Sequence, residues 1–243
     1  MPQIRLDDAD AIDGRHLRAV AFQEVRLEYV RSRGVDGGRA AVIGSGRGDL
    51  ARGLARIGFQ VDAVDPSAAA TALARQREDG SPVVHRSAPA ADTGLPGASY
   101  DLVYCADTFE ITDDLPGAVA EAARLLAPAG MLVFDTVNRT LLSRLVYLGG
   151  FQGIPATRIV PRGRYSAARL RPPEELGAVL ERHGLHMTDI CPFEPRGVGA
   201  LVRAVLDRRA GRITDDQAGA AVGFRLASGH PPLVTYFGCA VRR

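Results

Sequence analysis

Val42-Ile43-Gly44-Ser45-Gly46-Arg47-Gly48 runs from an apolar strand signal straight into a helix signal. Glycines at such a junction permit a tight turn and let a ligand approach bare main chain. The spacing is GxGxG, whereas the dinucleotide fingerprint GxGxxG would place a small residue at Asp49. An acid there opposes a pyrophosphate at a helix N-terminus, so the loop suits a nucleoside that brings no phosphate. Asp65 lies 65 − 44 = 21 residues beyond Gly44 and ends the second strand, where a carboxylate can accept both hydroxyls of a ribose. Its plainer alternative is to cap the helix that follows Pro66.

Asp107 and Glu110 stand just past the fourth strand, at the edge where open α/β sheets hold ligands. Carboxylates there can take a proton from an acceptor hydroxyl, or they can simply favour the start of the next helix. Asn138 and Arg139, after the fifth strand, face the same crevice and either position an acceptor oxygen or make a turn. Arg26 on the first helix is a candidate cation for a ligand carboxylate, or else a solvated charge. His85 ends the third strand beside Ser87 and Ala88, and the latter two are the expected contacts to an adenine edge. His230, in Ser228-Gly229-His230-Pro231-Pro232, is a loop histidine within reach of a substrate or merely solvated.

These residues need a sheet to hold them, and the chain supplies its pattern. Leu17, Val20, Ala21, Val25, Leu27 and Val30 recur at helical spacing, which predicts an N-terminal helix over 14–34. Apolar strands at 40–43, 61–64, 83–85, 100–105 and 131–136 then alternate with helices at 49–57, 68–77 and 115–126. Continuous apolar strands with this alternation build an α/β sandwich around a mostly parallel sheet. The rhythm breaks over 139–171, where an apolar stretch, a glycine cluster and basic Val160–Arg164 look like a cap insertion. A helix over 173–183, a strand over 186–190, helical stretches near 198–209 and 215–227 and a strand over 232–241 follow. The last strand lacks a simple crossover helix and is expected to lie antiparallel. Residues 1–243 are thus expected to form one domain: the N-terminal helix, a cofactor-binding core over 39–138, the cap, and a C-terminal part from 172 on the substrate side.

Composition narrows the function. The 243 residues are 46% hydrophobic and 24% charged with net charge +2, an ordinary globular balance that excludes disorder and collagen-like structure. All 30 basic residues are arginine, scattered among acids, which fits composition bias and not a nucleic-acid footprint. Cys105, Cys191 and Cys239 have no metal-ligand spacing, and an odd count suits a reducing compartment. No apolar run approaches the roughly 18 residues of a membrane span, so a cytoplasmic protein without stable membrane insertion is expected.

The glycine loop and Asp65 together fit S-adenosylmethionine, gripped by its ribose with its methionine part over glycine backbone. The chain in fact resembles the class I S-adenosylmethionine-dependent methyltransferases, and within them the polyprenyl-hydroxyphenol and ubiquinone-biosynthesis O-methyltransferases, from about Gln23 to Ile190. Val25-Arg26-Leu27-Glu28-Tyr29-Val30 is similar to the family's pre-core helix, whose arginine binds the methionine carboxylate. Tyr100–Asp107, Leu125–Gly130, Asn138-Arg139-Thr140, Val160–Gly163 and Arg171–Leu176 resemble its fourth strand, the turn before the fifth, its substrate-side loop, its inserted segment and the helix after it. The resemblance implies a Rossmann-like seven-stranded sandwich, and a cofactor site of Arg26, Gly44, Ser45, Gly46, Asp65, Pro66, Ser87, Ala88 and Ala106. Asp107, Glu110 and Arg139 become the candidate catalytic residues.

Two departures bear on chemistry. Val42 stands where the family has an acid, so the amino group of the cofactor must be recognised by other groups. The family's E-x-x-E-H stretch, which can hold a divalent metal, is Asp107-Thr108-Phe109-Glu110-Ile111 here, and no metal is expected. Residues after Ile190 do not match, which suggests a different acceptor. The expected function is O-methylation of a phenolic or catechol-like small molecule, with secondary metabolite biosynthesis as the expected setting. N- or C-methylation and a cofactor-binding scaffold without turnover are the alternatives, and a homodimer is left open.

Overall fold

The computed structural model describes residues 2–77 and 79–242. Its framework is one sheet of eight strands: β1 (Gly38–Ile43), β2 (Phe59–Asp65), β3 (Val83–Ser87), β4 (Tyr100–Ala106), β5 (Leu126–Val137), β6 (Leu185–Pro195), β7 (Phe224–Leu226) and β8 (Thr235–Arg242). Their order is β3-β2-β1-β4-β5-β8-β6-β7. The first five pair in parallel, and β8 runs antiparallel between β5 and β6. The last strand is therefore reversed, as expected from its connection. The chain changes direction across the sheet between β1 and β4, and ligands of open α/β sheets bind at such a switch, beyond the carboxyl ends of the strands.

Helices α1 (Gly14–Ser32), α2 (Asp49–Arg56), α3 (Ala68–Gln76), α4 (Leu115–Leu125), α5 (Leu141–Ser143), α6 (Pro173–Arg182), α7 (Val198–Arg209) and α8 (Asp215–Ala220) flank the sheet. Alternate residues of the central strands go to opposite faces. Ala40, Val42, Leu102 and Tyr104 enter the core under α1 and α2, while Ala41, Ile43, Val103 and Cys105 enter the core under α4 and α6. Both faces are buried, which is why these strands read as unbroken apolar runs. Asp13 sets the start of α1 by accepting hydrogen bonds from the Arg15 and His16 amides.

Two boundaries differ from the sequence pattern. The expected helix over 215–227 stops at Ala220, and Phe224–Leu226 pairs with β6 instead, giving an eighth strand. Gly223 interrupts the helix, and the Phe224 ring packs edge-on to Phe22 at 4.6 Å, a tertiary contact that local propensity does not encode. β8 begins at Thr235 and not at Pro232, because prolines 231 and 232 have no N–H to give a ladder. Within the cap, α5 widens into a π-helical stretch over Arg144–Phe151. Among the described residues no helix is long and apolar enough to cross a membrane.

Candidate cofactor cleft and acceptor cavity

The glycine loop closes tightly on the end of β4. Gly44, Gly46 and Gly48 all have left-handed backbone, with φ of 80°, 55° and 81°. A Cβ on Gly44 would lie 2.3 Å from the Ala106 carbonyl oxygen and 2.4 Å from Thr108 Oγ1, so only glycine fits there. The Gly44 and Ser45 amides donate to the Val64 carbonyl at 2.9 and 3.1 Å, which brings the loop beside the end of β2.

Asp65 is fully buried at that junction. Its Oδ2 accepts from the Gly46 amide at 2.8 Å and its Oδ1 from the Ser67 amide at 2.9 Å. The cap of α3 is the Ser67 hydroxyl, which accepts from the Ala70 amide, so Asp65 is turned toward the glycine loop and not spent on the helix end. The remaining lone pairs of Asp65 are taken by Arg15, whose guanidinium reaches both carboxylate oxygens. Arg15 lies across the loop: a Cβ on Gly46 would meet its guanidinium at 3.7 Å. Burial opposes the charge of Arg15, but Asp65, Asp7 and Asp13 outweigh it and hold the guanidinium above its ordinary pKa. With Arg15 in this position the cleft between the loop, α1 and Asp107 encloses only about 20 Å³. Arg15 precedes every motif that the sequence offers, and no spacing signal singles it out.

Deeper in, five charged side chains share one buried network. Arg26, 2% exposed, donates to Asp135 Oδ2 at 2.7 Å and pairs with Asp107 Oδ2 at 2.8 Å. It is therefore no solvated helix charge. Arg18, about two helical turns earlier, pairs with Asp107 Oδ1 at 2.5 Å and Glu110 Oε1 at 3.2 Å and donates to the Tyr165 hydroxyl at 2.6 Å. Tyr104 donates to Asp135 Oδ1 at 3.0 Å, and Thr136 to Glu110 Oε2 at 3.0 Å. The Nε–H groups of both arginines are buried and have no acceptor among the described residues. An orphaned buried donor is costly unless a ligand or water meets it.

The network sorts its acids. Burial alone would raise Asp107, but Arg18 and Arg26 together hold it well below the usual carboxylate range. Glu110 is pushed up by burial and by Asp107 despite its contact with Arg18. Burial, aided by Asp107 and Glu110, pushes Asp135 up to about 7. Asp107 also has φ of 47°, a strained backbone for a residue with a Cβ. Neither Asp107 nor Glu110 caps α4, whose N-cap is Asp114. Among the described residues no group of three His, Cys, Asp or Glu side chains could hold a metal ion, and these two acids are matched with guanidinium groups instead. Asp135 and Arg18 were not among the residues that the sequence pointed to.

On the far side of Arg18 lies an apolar cavity of about 270 Å³, bounded by α1, the π-helical stretch, β6 and β7. Phe22, Tyr147, Phe151, Phe193 and Phe224 supply its aromatic wall. Phe22 meets Phe193 edge-on at 4.9 Å, and Tyr147 meets Phe151 at 5.3 Å. His230 and Leu233 border the cavity too, the latter 56% exposed. Of the other expected site residues, Ala106 lines the cofactor cleft, whereas Pro66, Ser87 and Ala88 sit at the adjoining β2/β3 edge without lining it. The Ala88 amide donates to the Asp65 carbonyl at 3.1 Å. Arg139 lines neither space; it pairs with Glu175 on α6.

Known proteins are similar to this chain in sequence and in fold. Residues 41–134 fit the model of a methyltransferase domain. The ubiquinone biosynthesis O-methyltransferase of Xanthomonas euvesicatoria pv. vesicatoria is 33% identical over 183 residues, spanning 73% of this chain and 75% of that protein. The chain belongs to the class I S-adenosylmethionine-dependent methyltransferases. Two solved methyltransferases share the fold. One, from Thermotoga maritima and described as a possible histamine N-methyltransferase, has TM-score 0.60 at 19% identity and covers 94% of this chain and 92% of its own. The other, magnesium protoporphyrin IX methyltransferase of Synechocystis PCC 6803 with bound S-adenosylhomocysteine, has TM-score 0.59 at 18% identity and covers 96% and 85%.

S-adenosylmethionine is thus the methyltransferase's cofactor, and the donor set fits it. Bare glycine backbone, a buried carboxylate at the end of β2 and an arginine with an orphaned Nε–H are the kinds of group its three parts call for, with Arg15 paired to that carboxylate.

Proposed function

We propose that this methyltransferase transfers a methyl group to an oxygen of a phenolic or catechol-like small molecule. The observation that carries this reading is the 270 Å³ aromatic-walled cavity set one ion pair away from the cofactor cleft. Pockets for small aromatic ligands are mostly apolar with a few placed polar groups, and their usual lower size is roughly 300 Å³. A substituted single ring is the size of acceptor that such a space admits. The names of the O-methyltransferase relatives support the choice of oxygen.

In this reading Asp65 holds the ribose and Gly44, Ser45 and Gly46 lie against the methionine part, with Ala106 as the wall and Pro66, Ser87 and Ala88 along the adenine side. Arg26 offers its Nε–H to the cofactor carboxylate. Asp107 lines the cleft and is firmly ionised, so it supplies the negative charge for the amino group that Val42 does not. The bound cofactor supplies a methyl group already activated on a sulfonium. The protein's own task is then to align the acceptor and relieve it of a proton. Asp107 is too weak a base for that task. Glu110, raised by its burial, is the better proton acceptor of the two. Arg139, tied to Glu175, orders the loop after β5.

Incubation with S-adenosylmethionine and a panel of phenols and catechols, read by mass spectrometry, tests the function. Methylated oxygen is expected. Methylation confined to amines or carbon acids, or no product from any acceptor although S-adenosylhomocysteine binds, would overturn it.

A further inference from the structure

Among the described residues Arg171 pairs with no carboxylate, and its side-chain hydrogen bonds go to main-chain carbonyls. Its Nε–H donates to the Phe109 carbonyl at 2.7 Å, and its Nη2 to the Thr112 carbonyl at 3.4 Å. Arg169, two residues earlier, donates through Nη1 to the Ile111 carbonyl at 3.1 Å and to Asp113 Oδ1 at 2.9 Å. Its Nη2 donates to the carbonyls of Gly163 and Arg164, both at 3.1 Å. Two arginines at the end of the cap thus grip one short turn between β4 and α4.

Glu110 projects from that turn. The Thr108 carbonyl opens it by accepting from the Ile111 and Thr112 amides at 3.2 and 3.0 Å, and it stops short of α4, whose N-cap is Asp114. Because the turn does not continue, no backbone amide among the described residues donates to the carbonyls of Phe109, Ile111 and Thr112. Carbonyls withdrawn from water need a donor, and the cap supplies one to each of the three. Arg171 is itself well fixed. Its amide donates to the Val137 carbonyl at the end of β5 at 2.8 Å, and its carbonyl accepts from the Tyr236 hydroxyl on β8 at 2.8 Å. The guanidinium therefore carries the rigidity of the sheet to the turn. Arg18 and Thr136 meet the carboxyl oxygens of Glu110, whereas Arg169 and Arg171 locate the backbone behind them.

The same cap lines the acceptor cavity through Leu142, Val146, Tyr147, Phe151 and Ile159. We infer that Arg171, with Arg169 beside it, is a positioning residue for proton transfer: the cap that lines the acceptor cavity also sets the turn that aims Glu110. This rests on the reading of Glu110 as the proton acceptor, and it adds the residues that place that group.

A double-mutant cycle on the full chain tests it, with kcat measured on the most active phenol or catechol of the acceptor panel. Arg171→Lys keeps the charge but cannot span two carbonyls. It is expected to lower kcat about tenfold, since small misplacements of a reacting group are costly, and to leave the KM for S-adenosylmethionine within about twofold. Glu110→Gln is expected to lower kcat about a hundredfold, and adding Arg171→Lys to it should change kcat by less than about twofold. The same tenfold loss in both backgrounds would make Arg171 merely structural, and undiminished kcat in Arg171→Lys would overturn the inference outright. A cofactor KM that rises in step with the loss would place the damage in the cleft and overturn it too. Full activity in Glu110→Gln would instead sink the proton-acceptor reading and the inference with it, so the two failures are told apart. Should Arg171→Lys fail to fold, Arg169→Lys carries the test, with a loss of about threefold that likewise vanishes in Glu110→Gln. Hydrogen exchange read by mass spectrometry follows the turn without turnover. Peptides covering 107–114 are expected to exchange about tenfold faster in Arg171→Lys while those of β1 and β2 keep wild-type rates, and unchanged exchange over 107–114 would overturn the grip.

Discussion

The cofactor cleft and the acceptor cavity sit on opposite sides of one ion-pair wall, and they are prepared in opposite ways. The cleft is lined by charge and glycine and encloses about 20 Å³, with Arg15 on its lining paired to Asp65 behind it. The cavity is lined by rings and aliphatic side chains and stands open at 270 Å³. The difference follows from what each surface tolerates. A buried carboxylate without partners costs several kcal/mol, so a cleft built around Asp65 must find it a stand-in cation. An apolar hollow makes no such demand and only forgoes packing. Polar preparation in this fold therefore brings its own counter-ion, and apolar preparation needs none.

The wall between them gives the largest expected effect. Arg26→Met would leave Asp107 and Asp135 buried with one cation fewer. Breaking a buried pair from one side costs about 3–5 kcal/mol, so a large drop in denaturation midpoint is expected, along with loss of cofactor binding by calorimetry. A variant as stable as the wild type would mean that the network does not hold the two sites together.

Asp65→Ala tests the cleft itself. Two ribose hydrogen bonds to a charged acceptor are lost, and S-adenosylhomocysteine affinity should fall by roughly 1–3 kcal/mol. Unchanged affinity would remove Asp65 from the site. Arg15→Ala probes the same carboxylate from the other side. If Arg15 must leave before the nucleoside enters, its removal lifts that competing contact and tightens cofactor binding by about 1 kcal/mol, since the competent state no longer has to be bought back. Weaker binding would instead make Arg15 a ligand-holding residue.

The same contrast explains what was legible in the sequence. The α/β sandwich and its reversed last strand came through because strands buried on both faces must be apolar throughout, and the glycine loop because positive φ narrows the choice of residue. Asp65 and Arg26 stood out through spacing and family resemblance. Arg15, Arg18 and Asp135 did not, because an arginine that pairs with acids 50 to 92 positions away in sequence looks like any helix-surface charge until the fold brings them together. In a chain whose 30 cations are all arginine, composition gives no contrast to pick out the buried ones. The strand β7 was hidden for a related reason: three residues pair because Phe22 and Phe193 receive Phe224, and not because their own propensity demands it.

Asp135 gives the sharpest sign. Its carboxyl is raised to about 7 by burial and by Asp107 and Glu110, whereas in the unfolded chain it titrates near 4. Between those limits the folded protein holds a proton that the unfolded chain has released, so this group's stabilisation is complete below about pH 4 and is lost as pH rises through 7. The slope from one such group is at most about 1.4 kcal/mol per pH unit. Asp107, shifted the opposite way, contributes stability that is lost as pH falls below the ordinary carboxylate range, outside this window. Asp135→Asn keeps the shape and acceptor of the neutral acid without a titrating proton. Its denaturation midpoint should therefore gain on that of the wild type as pH is raised from 4 to 8, measured in matched buffers. Parallel midpoints across the window would mean that Asp135 is ionised throughout, held by Arg26 and Tyr104.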